Sequence, residues 1–287
     1  VIMTNDPWLA SGHLPDITMA MPIFFKRKLV AFAGTIAHSP DIGGAIWSAD
    51  AREIFEEGIR ILPVKLYEAG KINETLVRII RGNVRVPDMV MGDLEAQIMS
   101  QTTCKNRLLE FMEEVGLDDL NDLSRGIQDK AEQIMRQAIR NVPDGVYEKT
   151  VEMDGFDAPI RIQCKITVKG SELEVDYEGT SPQIGRSLNC VMAYTDSYTT
   201  YPIKCALDPL TPKNEGSYRP ITVKAPEGSI LNPRYPAPCN ARQLIGHFLS
   251  TAVFGALAPA IPDRVIADSG SQPTLRVLFT GLGQDRE

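Results

Sequence analysis

The chain has 287 residues, 43% hydrophobic and 23% charged, the balance of a soluble globular protein with length for one large domain or two. Its formal net charge of −7, with no Lys/Arg cluster, argues against a nucleic-acid surface. No apolar run approaches the roughly 20 residues that span a bilayer.

Residues 1–46 read as strands and loops. Met21 to Phe25 is a short apolar strand, Lys26-Arg27-Lys28 a solvated turn, and residues 28–37 a buried strand that delivers His38 from a rigid support. This hairpin brings the segment after Asp16 back beside His38. Ser48 to Glu57 is a short helix candidate with Ser48 as N-cap. Asp93 to Val115 carries an approximately helical apolar stripe (Leu94, Ile98, Leu108, Phe111, Met112, Val115), and Gly116 ends it. Asp118 and Asp119 cap a second helix to about Arg140. Its apolar face runs from Leu120 through Leu123 and Ile127 to Ile139. Joined by a short turn, the two helices read as an antiparallel pair.

After Pro143-Asp144-Gly145 the period changes to alternation. Gly145 to Met153, Ile160 to Lys169 and Glu172 to Tyr177 read as antiparallel strands, with a hairpin at Lys169-Gly170-Ser171. Asn189 to Ala206 is a helix rich in tyrosine, Ile221 to Lys224 a short strand, and Ala241 to Ala258 a strongly apolar helix; the tail from Asp268 has no clear pattern. The expected fold class is α+β: mixed, mainly antiparallel sheets with a long central helical pair. The expected divisions are 1–92, 93–142 and 143–287, which are also compatible with one continuous domain.

The chemistry concentrates in two of the three histidines. His13-Leu14-Pro15-Asp16 and His38-Ser39-Pro40-Asp41 repeat one phrase, His-x-Pro-Asp. Proline stiffens each corner into a non-helical shape that presents an imidazole and a carboxylate at a set spacing. Two imidazoles and one or two carboxylates suit a divalent transition metal such as Zn, Mn or Fe. His13, Asp16 and His38 are the first-choice ligands. Asp41 is a candidate to complete the shell, act as general base or orient His38, and Asp6 is a further carboxylate of the same kind. The structural alternative is that each Asp caps a turn while each His bonds to backbone. His247, alone in an apolar stretch, reads as a core residue. Glu57, Arg60 and Arg85 are candidates either for surface ion pairs or for substrate contacts, the arginines being the better grip for an anion.

The five cysteines (Cys104, Cys164, Cys190, Cys205, Cys239) are odd in number and widely spaced, indicating reduced thiols rather than a disulfide frame or zinc finger. With no visible signal peptide, the expected compartment is the cytoplasm. There is no Walker A phrase, no G-x-G-x-x-G and no G-x-S-x-G, so no nucleotide site or serine nucleophile is indicated on this chain.

Asn5-Asp6-Pro7-Trp8, Gly12-His13-Leu14-Pro15-Asp16-Ile17 and His38-Ser39-Pro40-Asp41-Ile42-Gly43-Gly44 resemble the hydantoinase B / oxoprolinase family. So do Glu57-Gly58-Ile59-Arg60, Asn83-Val84-Arg85, Gly92-Asp93-Leu94-Glu95-Ala96-Gln97, Pro143-Asp144-Gly145, Gly179 to Gln183 and Pro226 to Ser229. The ordered set runs over nearly the whole chain. Because the chain opens mid-phrase at Val1, it is expected to be an internal piece of a longer protein. The resemblance implies the metal-bearing B-type subunit of an ATP-dependent cyclic amidohydrolase, opening a hydantoin- or 5-oxoproline-like lactam. ATP would sit on a hydantoinase A-type nucleotide-binding partner in a hetero-oligomer. A related branch, the large subunit of an acetone or acetophenone carboxylase acting on a ketone, and a non-catalytic scaffold subunit are the two alternatives. Trp8 stands where tyrosine is more usual in the family, and Ala10-Ser11-Gly12 replaces a more glycine-rich phrase.

Overall fold

The computed structural model describes residues 1–45 and 48–266, so the tail from Asp268 lies outside the described residues. Alternating apolar residues first build strands β1 (Ile2–Thr4), β2 (Asp16–Phe25), β3 (Lys28–His38) and β4 (Val64–Lys65), followed by a ribbon of β5 (Tyr67–Glu68) and β6 (Lys71–Ile72). Helices α1 (Glu74–Asn83), α2 (Pro87–Val115) and α3 (Asn121–Arg140) come next. Then follow β7 (Gly145–Met153), β8 (Ile160–Lys169), β9 (Glu172–Asp176), α4 (Met192–Leu207), β10 (Ile221–Lys224) and α5 (Gln243–Leu257). The four-stranded sheets have the orders β3-β2-β1-β4 and β10-β9-β8-β7. All pairings are antiparallel except β9 with β10, which run parallel because α4 carries the chain across between them. The fold is α+β with mainly antiparallel sheets.

The β2–β3 hairpin sets the geometry that matters. Its turn, Lys26-Arg27, has positive φ at both residues (46° and 69°), the combination a two-residue hairpin loop needs to match strand twist. From that turn the ladder pairs Phe25 with Lys28 and Phe24 with Leu29, and then shifts at a bulge so that Ile23 pairs with Ala31. Val30 is the extra residue. Because side chains alternate, one extra residue changes which face each later side chain takes. Unbulged, the ladder would set Ala37 opposite Asp16; with the bulge, His38 is opposite Asp16.

Burial holds this register. Ile17, Met19 and Ile23 on one face of β2 are at most 3% exposed, each contributing roughly 1.5–3 kcal/mol that a one-residue slip would forfeit. Ile17 and Met19 belong to a core shared with Met3 and with Leu76, Ile80, Val90, Met91 and Leu94 of α1 and α2. The other face stays open. Composition predicts a buried β3, but the strand is the sheet's edge, and Leu29, Phe32 and Ile36 are 45%, 60% and 61% exposed. Helix α2 covers one side, where Thr35 bonds Gln97 and Gln101, and among the described residues no helix packs on the other.

Three further readings change with packing. The Ser48–Glu57 helix is instead a single 3-10 turn, Ile54–Glu56, without a side-chain cap. Helices α2 and α3 are both present, but they serve different sheets, α2 lying on β3 and α3 on β9 and the Glu215–Ser217 turn. Part of each expected stripe consequently faces solvent, at Phe111 and Val115 of α2 and at Leu123 and Ile127 of α3. Helix α1 is an addition to the sequence reading; its signal is Asn73, whose side chain accepts from the Leu76 N–H as an N-cap. The larger core lies between the second sheet, α4 and α5, from Met135 to Ile261. No helix among the described residues is long and apolar enough to cross a membrane.

Deleting Val30 should remove the bulge yet leave His38 opposite Asp16, because Ala31 then follows Leu29 directly and remains the partner of Ile23. A crystal structure of the variant, with a thermal melt to establish folding, checks this; Ala37 opposite Asp16 would contradict it.

Candidate metal centre

Strand pairing delivers two of the site's side chains and a tight loop delivers the third. Asp16 opens β2 and His38 closes β3, directly opposite each other on the open face of the sheet. The His38 Nδ1–H donates to Asp16 Oδ1 at 2.9 Å. His13, three residues before Asp16, folds back so that its Nε2 lies 3.0 Å from Asp16 Oδ2, and the two imidazole centroids are 5.1 Å apart. Among the described residues these three form the group able to offer a metal one ligand atom each, with all three atoms within 4.8 Å of one another.

His13 is prepared for a ligand role. Its Nδ1 is 3.2 Å from the Asn240 carbonyl oxygen. A carbonyl only accepts, so Nδ1 carries the proton and the neutral ring has its lone pair on Nε2. That buried Nε2 has no hydrogen-bond partner, despite its 3.0 Å separation from Asp16 Oδ2, because the alignment of a hydrogen bond is missing. A lone pair facing a carboxylate oxygen is repulsive unless something positive shares them, which is what a cation does. Burial pushes the His13 pKa down, against the raising influence of Asp16, and so favours the neutral ligand form. For Asp16, burial acts upward, but the hydrogen bond from His38 and the Arg242 guanidinium act against it, and the carboxyl stays well below the usual carboxylate range. The donor set therefore fits a divalent transition metal.

Sequence reasoning missed the residues that surround this group. Arg242, 7% exposed, donates from Nη2 to Asp16 Oδ2 at 3.1 Å and to the Ser11 carbonyl at 2.8 Å. Its guanidinium lies over the Tyr194 ring at 4.4 Å. Gly12, with φ +90°, passes so close that a Cβ there would meet Tyr194 Cβ at 2.9 Å and Arg242 Nε at 3.0 Å. Glu57, expected in a surface ion pair or a substrate contact, is fully buried. Its Oε1 accepts from Ser187 Oγ and, at 2.8 Å each, from the backbone N–H groups of Cys239 and Asn240. Desolvation raises its pKa to about 7, against the lowering effect of those donors. The hydrogen bonds that Arg242 and Glu57 make here span 130 to 231 positions, so no local spacing signals them.

The other candidates lie outside the triad. Asp41 is buried; its Oδ1 accepts from the Gly43 N–H and Arg85 Nη1, and its Oδ2 from the Arg85 N–H. Arg85 Nη2 also caps the Gly44 carbonyl. Asp6 accepts from the Trp8 N–H and from Arg60 Nη2. Arg60 is flanked by Trp8 and Tyr235, with ring centroids 5.7 and 4.6 Å from its guanidinium carbon, and its buried Nε has no hydrogen-bond partner. His247, read as a core residue, is exposed on α5. Cys164, Cys190 and Cys239 are buried, Cys104 and Cys205 exposed, and all five are free.

The hydantoinase B/oxoprolinase pattern matches residues 1–287 in full. The chain belongs to the hydantoinase B/oxoprolinase family. It is 35% identical over 303 residues to a Pseudomonas sp. protein named as the B-type component of a D-/L-hydantoinase, a match covering 99% of this chain and 51% of that protein. The crystal structure of the ATP-dependent caprolactamase from Pseudomonas jessenii superposes with a TM-score of 0.86 at 31% identity, over 92% of this chain and 47% of that one. The nucleotide-free structure of an acetone carboxylase shares the fold, with a TM-score of 0.79 at 18% identity over 92% of this chain and 37% of the other. The chain spans about half the length of the curated relatives it matches first.

Substituting Gly12→Ala should cost roughly 1–3 kcal/mol, through the strained φ and the collision with Arg242 and Tyr194, as read from urea unfolding. A second expected outcome concerns Glu57, whose carboxyl titrates near 4.5 when unfolded and about 7 when folded. Between those values the folded state holds more protons, so its contribution is complete below pH 4.5 and is lost as pH rises to 7, by up to ~3 kcal/mol. Glu57→Gln should abolish that decline, measured as the difference between the two proteins' unfolding midpoints across pH 4–8.

Proposed function

We propose that this chain is the metal-bearing B-type part of an ATP-dependent hydrolase of cyclic amides, acting with a nucleotide-binding partner of the hydantoinase A type that carries the ATP. The observation that carries this reading is the convergence of His13, Asp16 and His38, with an unpartnered lone pair on His13 Nε2. Family membership supports the reaction class, since the named relatives act on hydantoins and a caprolactam.

In this reading His13, Asp16 and His38 hold the metal. A divalent transition metal so bound supplies Lewis acidity, which polarises a carbonyl and eases deprotonation of water. The chain's own groups do the rest. The Asn240 carbonyl keeps the proton on His13 Nδ1, and Arg242 keeps Asp16 ionised and fixed in direction. Arg60, steadied by Asp6 and flanked by Trp8 and Tyr235, holds a partly exposed guanidinium that suits an anionic group of the substrate. Asp41 and Arg85 satisfy each other, and we read them as the clamp that holds the turn after His38 rather than as base and substrate contact.

Elemental analysis of the full-length protein beside His13→Ala and His38→Ala tests this. About one transition metal per chain is expected, lost in both variants while the thermal melt stays cooperative. With the nucleotide-binding partner present, ATP use driven by a cyclic amide should vanish in both. No metal after reconstitution would leave the scaffold reading, and bicarbonate-dependent ATP use with a ketone would move the chain to the carboxylase branch.

A further inference from the structure

We propose that Glu57 is a positioning residue for the His13–Asp16–His38 centre, acting through the segment 239–242, an inference that rests on the metal-bearing reading above. That segment supplies outer contacts to two of the three ligands. The Asn240 carbonyl receives the His13 Nδ1–H, and two residues on Arg242 Nη2 reaches Asp16 Oδ2. Both contacts depend on where the backbone of 239–241 sits. Glu57 fixes it: the consecutive N–H groups of Cys239 and Asn240 converge on its Oε1. Ser187 holds the next peptide, since its carbonyl accepts from the Ala241 N–H at 2.8 Å, while its hydroxyl donates to Glu57. The planar peptide units on both sides of Asn240 are thus pinned, and with them the direction of its C=O.

A purely structural role explains Glu57 poorly. It is fully buried beside Ile54, whose carbonyl accepts from its N–H, and Cys239, both 0% exposed. Burying a carboxyl there is costly, and an apolar side chain of similar volume would fill the space without that cost. What the carboxyl adds is one acceptor atom able to take three donors at once. Its distance in sequence from Asn240, 183 residues, means it also ties the turn before Arg60 to the loop that precedes α5.

The test compares Glu57→Ala, Glu57→Gln and the wild type as full-length protein. Zinc and manganese affinities are measured by chelator competition, and the His13 tautomer by ¹⁵N-histidine NMR without metal. Glu57→Ala should weaken metal binding about 10- to 100-fold and turn the single Nδ1–H form of His13 into a mixture. Glu57→Gln keeps Oε1 as an acceptor and should stay within about three-fold of wild type. A folded Glu57→Ala protein with unchanged affinity and tautomer overturns the proposal, as does a Glu57→Gln protein as impaired as Glu57→Ala. If Glu57→Ala does not fold, Glu57→Asp carries the test, because it keeps the charge but draws the acceptor back by one methylene; unchanged behaviour there overturns the proposal too. If the wild type binds neither metal, the metal reading fails by itself, and the tautomer comparison still decides the role of Glu57.

Discussion

Asp16 is the group around which the site is arranged. Its two carboxylate oxygens face His38 on one side, and His13 and Arg242 on the other. His38 and Arg242 hold this half-buried carboxylate ionised and oriented while His13 sets a lone pair beside it, and only His13 reaches it through local sequence. His38 arrives through strand pairing, His13 through the tight Leu14-Pro15 corner, and Arg242 from the far end of the chain. Even the strand pairing is conditional. The two-residue turn and the Val30 bulge together decide which residue faces Asp16. Without the bulge an alanine would stand where the imidazole is.

The segment from Asn5 to Asp16 is the meeting place of the two sheets' surroundings. Asn5 ties it to its own sheet, donating to the Leu14 and Ile59 carbonyls and accepting from the Ile61 N–H. From the other side Trp8 Nε1 donates to the Pro233 carbonyl at 3.1 Å, His13 to Asn240, and Arg242 to Ser11. Contacts across more than 220 residues are costly in chain entropy to bring together, but that cost grows only slowly with loop length, and several bonds made at once share it. Gly12 is required here, because the close passage of Tyr194 and Arg242 leaves no room for a Cβ.

The first sheet divides its two faces sharply. Ile17, Met19 and Ile23 pack inward, whereas Ile2, Phe24, Leu29, Phe32 and Ile36 remain between 45% and 61% exposed. Asp16 and His38 belong to the open face by register. The centre therefore sits at the end of an uncovered apolar sheet surface, in a chain that spans about half the length of the relatives it matches.

Much of the fold is legible in the residues. The repeated His-x-Pro-Asp phrase, the apolar runs around a Lys-Arg turn, and the alternation of β7 and β8 all speak through neighbours two to four positions apart, the range over which strand and turn preferences act. The boundaries of β7, β8 and β10 accordingly agree between sequence and structure. Burial is less legible. The β3 run looks like a core strand by composition, and only its place at the sheet edge exposes it. Helices α2 and α3 are amphipathic enough to pair, yet each finds a sheet instead. In the site, the sequence by itself determined that two imidazoles and a carboxylate were available on stiff corners. The sequence also favoured Asp16 as the third ligand, and tertiary structure added why Asp41 stays out of the group: Arg85 and the Gly43 N–H already occupy it. Tertiary structure alone supplied Asn240, Arg242 and Glu57, since a hydrogen bond made across some 200 residues leaves no mark on the spacing of either partner.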